Sequence, residues 1–166
     1  NFKILIMKIY KLTFLILWIF FTKNVFANEI NSLTESQVDL TNNGEGEGDP
    51  NLTIKEGVTL KKDNQQNLIK GFNTDGIENA TIILEKNATA QGLHNTIMIR
   101  QSDNVTITNS GSIISLGSKA INMRSAQNTT ITNKAGATMT AVNNVIAGEE
   151  KDADSENVEG TTITNS

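Results

Sequence analysis

Beyond residue 50 the chain alternates apolar and polar residues in short runs separated by Asn, Gly and Ser, the pattern of brief strands joined by turns. In the clearest run, Val105-Thr106-Ile107-Thr108, alternation sends Val105 and Ile107 to one face and Thr106 and Thr108 to the other. Ser112 to Ser115 and Ala120 to Met123 follow, so three runs make a unit. After residue 27 no stretch has the 3.6-residue apolar period of a helix, and the dominant Thr, Asn and Gly are poor helix formers.

The unit repeats. Thr106-Ile107-Thr108-Asn109-Ser110 recurs unchanged as Thr162-Ile163-Thr164-Asn165-Ser166, with Thr130-Ile131-Thr132-Asn133-Lys134 between them, at offsets of 24 and 32 residues. Ile97, Ile121 and Val145 keep the 24-residue step, as do Ile99, Met123 and Ala147, so the longer offset reads as one unit with eight extra residues after Gly148. Weaker copies are Asn51-Leu52-Thr53-Ile54 and Asn79-Ala80-Thr81-Ile82-Ile83. Because all three runs share one phase, each unit is expected to form one turn of a triangular coil, with like residues stacked about 4.8 Å apart.

The fold class expected is therefore all-β: a right-handed parallel β-helix of about four three-strand coils, after an N-terminal signal helix. An antiparallel sandwich is the competing arrangement, and the common phase argues against it. Ile54, Ile82, Ile107, Ile131 and Ile163 are expected to form one inward ladder. The pairs Val58/Leu60, Ser112/Ile114 and Ala137/Met139 are expected to form a second, and the third run a third. Asn79, Asn104 and Asn128, and likewise Asn109, Asn133 and Asn165, should recur at corners, where Asn tolerates the left-handed conformation and its amide can stack between coils.

The first 27 residues read differently. Met7, Lys8 and Lys11 make a basic start, Leu12 to Phe21 is an apolar run, and Val25-Phe26-Ala27 has the form of a cleavage site, so a signal peptide cleaved after Ala27 is expected. Ten apolar residues are short for a membrane span of about 20, which favours cleavage over a retained anchor. Residues 1–6 precede the first Met and are candidates for upstream translation. Residues 28–50, with Gly44-Glu45-Gly46-Glu47-Gly48-Asp49, read as an acidic linker or N-terminal cap rather than a calcium loop, because a single copy without paired glycines does not build one. Residues 51–166 are the repeats, expected to be truncated because the last unit stops after its first strand.

Composition sharpens this division. Seven of the eight aromatic residues lie before residue 28, so the repeats must be packed with aliphatics. Residues 28–166 hold ten basic and 18 acidic residues, a net charge of −8 that argues against nucleic acid and anionic membranes as partners. The chain has no Cys, so burial and hydrogen bonding must hold it together without disulfides.

Asn128-Thr129-Thr130-Ile131-Thr132-Asn133, Thr162-Ile163-Thr164-Asn165-Ser166 and the Asn-Ser-Gly-Ser-Ile step at Asn109 to Ile113 resemble the degenerate repeats of autotransporter passenger domains of Gram-negative bacteria. The resemblance spans roughly residues 51 to 166. It implies an exported, non-enzymatic structural or adhesin-type module at the cell surface, carried out by a C-terminal or separate outer-membrane β-barrel that this sequence does not contain. The partner it implies is a component of a host or neighbouring cell surface.

Candidate chemistry is sparse. Glu149, Glu150, Asp152, Asp154 and Glu156, in the extra residues after Gly148, form a candidate loop for an ion or a partner, weighed against a plain solvated insertion. His94, the lone histidine, has no second His or Cys for a metal set and reads as a turn residue, so no metal or cofactor is expected. Asp63, Asp75, Asp103, Lys70, Arg100 and Arg124 are the residues that a carbohydrate-active β-helix enzyme, a lyase or hydrolase, would draw on; that is the alternative function, together with a filamentous adhesin exported by a partner barrel. Asn51, Asn79, Asn87, Asn104 and Asn128 fit the Asn-x-Ser/Thr pattern, but their repeat phase accounts for them as corners without glycans.

Overall fold

A computed structural model describes residues 28–30, 37–40, 50–71, 76–149 and 158–166. The expected signal segment with Ala27, the Gly44–Asp49 stretch, Asp75, and Glu150, Asp152, Asp154 and Glu156 lie outside these residues. Two short strands, β1 (Asn28–Ile30) and β2 (Val38–Asp39), come first. Four coils follow: β3 (Leu52–Ile54), β4 (Thr59–Lys62), β5 (Ile69–Gly71); β6 (Thr81–Leu84), β7 (Thr89–Gly92), β8 (Ile97–Arg100); β9 (Thr106–Asn109), β10 (Ser112–Ser115), β11 (Ile121–Arg124); and β12 (Thr130–Asn133), β13 (Thr138–Ala141), β14 (Ile146–Glu149). β15 (Thr162–Asn165) begins a fifth.

Every strand pairs in parallel with its equivalent one coil away, and the result is a β-solenoid with three sheets. Their orders are β1-β3-β6-β9-β12-β15, β4-β7-β10-β13 and β2-β5-β8-β11-β14. No helix occurs among the described residues, and none there could cross a membrane.

The first sheet stacks Leu52, Ile82, Ile107, Ile131 and Ile163 directly over one another. The first four are fully buried, and each contributes roughly 2 kcal/mol of burial free energy. Ile163 continues the column at 55% exposure, because no described strand lies beyond β15. Ile54, expected in this ladder, stands one inward position further along: it pairs with Ile30 and Leu84, and that column continues as Asn109, Asn133 and Asn165. Two inward positions on one short strand made Leu52 and Ile54 equally good sequence matches to Ile82, and the backbone register chooses Leu52.

In the second sheet Leu60, Ala90, Ile113 and Met139 share a column. Ile113 is fully buried and Ile114 is only half-buried, so the expected inward Ser112/Ile114 pair is displaced by one residue. The reason lies in the preceding corner. Lys55–Val58, Glu85–Ala88 and Lys134–Ala137 form four-residue turns, each closed by a backbone bond of 3.0, 3.1 and 2.9 Å, with Gly57, Asn87 and Gly136 at positive φ in third place. Between β9 and β10 only Ser110 and Gly111 remain, and the Asn109 Oδ1 accepts the Gly111 N–H at 3.0 Å instead. A Cβ on Gly111 would sit 2.1 Å from the Ala88 carbonyl oxygen, so this tightened corner admits glycine alone.

In the third sheet Ile69, Ile97, Ile121 and Ile146 stack, as do Gly71, Ile99, Met123 and Gly148. Ile146 and Gly148 thus replace the expected Val145 and Ala147. The step from β11 to β14 is one residue longer than the sequence repeat suggests, and Val145 is left 40% exposed.

Candidate functional site

Cores of this kind leave chemistry to the corners and outer faces. The corner entering the first sheet repeats Glu78-Asn79, Asp103-Asn104, Gln127-Asn128 and Glu159-Gly160, with the leading residues bridged in parallel. Asn79, Asn104, Asn128 and Gly160 have φ of 52°, 53°, 49° and 61°, the left-handed region that Asn and Gly enter at least cost. Asp103 is held there: its Oδ1 accepts the Asn128 Nδ2 at 2.8 Å, and its Oδ2 accepts the Asn104 Nδ2 at 3.4 Å.

At the exit corner of the same sheet, the inward column of Ile54 and Leu84 becomes a run of stacked amides. The Asn109 Nδ2 donates to the Asn133 Oδ1 at 2.8 Å, and the Asn133 Nδ2 to the Asn165 Oδ1 at 2.9 Å. Asn109 is fully buried and also donates to the Thr138 carbonyl at 2.9 Å. These three asparagines sit on strands at negative φ, unlike the left-handed set.

The remaining sequence candidates are scattered. Lys70 pairs with Asp39 at 2.9 Å, and Asp63 pairs with Lys61 at 3.2 Å beyond the end of β4. Arg100 and Arg124 stand in register on the outside of the third sheet; Glu149 follows them in backbone register. Asp103 lies at the next corner, so of the described residues proposed for an enzyme reading the three bases share the third sheet, whereas Asp63 stands just beyond β4 of the second. His94 shares a polar knot between the second and third sheets: its Nδ1 is 3.1 Å from the Asn67 Oδ1, which also accepts the Asn95 Nδ2 at 3.0 Å. The Ser118 hydroxyl donates to the Asn95 Oδ1 at 3.1 Å, and the Ser115 hydroxyl donates to the His94 carbonyl at 2.6 Å. These bonds tie the corner together from one coil to the next. Among the described residues no group of three His, Cys, Asp or Glu could hold a metal ion.

Comparison with family models, with curated proteins and with solved structures gives no match. The site must therefore be read from its own geometry.

The outside of the first sheet carries none of the charged candidates. Outward positions there form two columns, Thr81–Thr106–Thr130–Thr162 and Ile83–Thr108–Thr132–Thr164. The signal for it was present in the polar half of each Thr-Ile-Thr-Asn run, whose apolar half had served to find the core. At the β15 end a cleft of about 470 Å³ opens between the last strands, lined by Ile131, Met139, Ile146 and Ile163 together with Asn133, Thr138, Thr140, Thr164 and Asn165.

Proposed function

We propose that the chain is a non-enzymatic surface module of the autotransporter-passenger kind, exported behind its N-terminal signal and acting through the shape and outer faces of its solenoid. The observation that carries this reading is the in-register stacking of four coils around an aliphatic and amide interior. It is a β-solenoid, a fold compatible with a stalk or adhesin base, and among the described residues Asp63 stands just beyond β4 of the second sheet, away from Lys70, Arg100 and Arg124 on the third. A surface component of a host or neighbouring cell is the partner, and a C-terminal or separate outer-membrane barrel supplies passage across the membrane.

The test is expression of the whole chain in a Gram-negative host, followed by fractionation and N-terminal sequencing. Recovery outside the cytoplasm with Asn28 at the N-terminus is expected. Cytoplasmic retention with Trp18 still present overturns the export reading, and release of reducing or unsaturated ends from a panel of polysaccharides overturns the non-enzymatic one.

A further inference from the structure

We infer that the outer face of the six-stranded sheet is an ice-binding surface, on which the two threonine columns meet the oxygen lattice of an ice crystal. Strands β6, β9, β12 and β15 pair residue for residue without a bulge. Their outward residues therefore fall on a grid with about 4.8 Å between coils and about 6.7 Å along each strand. Seven of the eight grid positions are threonine, and Ile83 holds the eighth. Each threonine node presents a hydroxyl beside a methyl, on a β-branched side chain with few χ1 choices to lose when it is fixed. Hexagonal ice repeats its surface oxygens on spacings close to these two.

Three further observations select this partner. None of the grid threonines has a side-chain hydrogen bond among the described residues, whereas Thr138 on the second sheet gives its hydroxyl to Ser112 at 3.0 Å. No charge occupies any of the eight positions, in a protein of net charge −4 whose third sheet carries Lys70, Arg100 and Arg124 outward. A neutral face gives no attraction to phosphates, metal ions or acidic polymers. It also has no aromatic ring on which a sugar could stack. High strand propensity explains threonine on any strand, but it does not explain the absence of charge from all eight positions of β6, β9, β12 and β15, when Glu29 falls in the same backbone register on β1 and Glu85 and Lys134 stand just past the strand ends. A neutral partner with its own two-dimensional hydrogen-bonding repeat matches all three.

The inference is independent of export and is tested on the whole chain, with far-UV circular dichroism to verify folding. Thermal hysteresis, inhibition of ice recrystallisation and partition of labelled protein into a growing ice hemisphere are expected. Thr130→Lys, at the centre of the grid, should reduce activity at least tenfold. Thr140→Lys, exposed on the second sheet, should leave it unchanged. Thr162→Lys, on the edge strand where a folding defect is least expected, should cause a smaller loss. Exclusion of the folded chain from ice, or equal losses for Thr130→Lys and Thr140→Lys, overturns the proposal.

Discussion

The Asn109 amide reaches Asn133 one coil away with a 2.8 Å bond, and it does so in the column that Ile54 and Leu84 occupy in the earlier coils. A buried amide in place of an aliphatic side chain is tolerable only where its hydrogen-bonding capacity is met. Asn109 meets this condition by accepting from Gly111 and donating to Asn133 and the Thr138 carbonyl.

Asn109→Ala should accordingly destabilise the folded chain by on the order of 3 kcal/mol, since it leaves the buried Gly111 N–H unpaired as well as breaking the amide ladder. Urea unfolding followed by circular dichroism measures this. A change below about 1 kcal/mol would show that water replaces the amide there.

The isoleucine column grades burial by position. Ile107→Asp should prevent folding, because an unpaired charge would lie between Ile82 and Ile131. Ile163→Asp, on a side chain already 55% exposed, should cost within about 1 kcal/mol. Thermal melts of the two variants give the comparison, and equal effects would contradict the register.

In the second sheet, Ile113→Ala should cost about 2–4 kcal/mol and Ile114→Ala less than about 1. Denaturation midpoints at equal slope read the difference. The reverse order would restore the inward position to Ile114.

Gly160 and Asn128 should be coupled. A Cβ on Gly160 falls 2.4 Å from the Asn128 Oδ1, at a backbone φ of +61°. Gly160→Ala therefore carries a left-handed penalty of about 1–2 kcal/mol plus a steric one. Asn128→Gly removes the clashing amide, and a double-mutant cycle should return a coupling of at least about 0.5 kcal/mol. Strict additivity would mean that the amide simply swings aside.

Much of this architecture is legible in the sequence because the repeat carries it. Thr106-Ile107-Thr108-Asn109 and its copies yield parallel pairing, the inward isoleucines and the recurrent corner asparagines without reference to coordinates. What the sequence hides is corner length. Ser110-Gly111 does the work of a four-residue turn, so a fixed spacing misassigns Ile114; an extra residue before β14 does the same to Val145. The early step from Leu52 to Ile82 is 30 residues long, and alternation there cannot distinguish Leu52 from Ile54. The threonine grid escaped notice for another reason: uncharged hydroxyls carry no catalytic signature, and only the register shows that they form a lattice.

Because the bonds between coils run along the solenoid axis and the strands lie across it, tension applied at the two ends of the chain loads one coil at a time. Strands then part in sequence, as in a zip, instead of shearing together. The 24-residue turn from Thr106 to Thr130 releases a contour length of about 80 Å, and the 30-residue step from Leu52 to Ile82 about 100 Å. Single-molecule stretching should record low, successive rips whose lengths follow the residues in each coil, and recoiling after each one should be guided by the intact coil beneath, the behaviour of a reversible shock absorber; a single high-force rupture would show that the coils fail together.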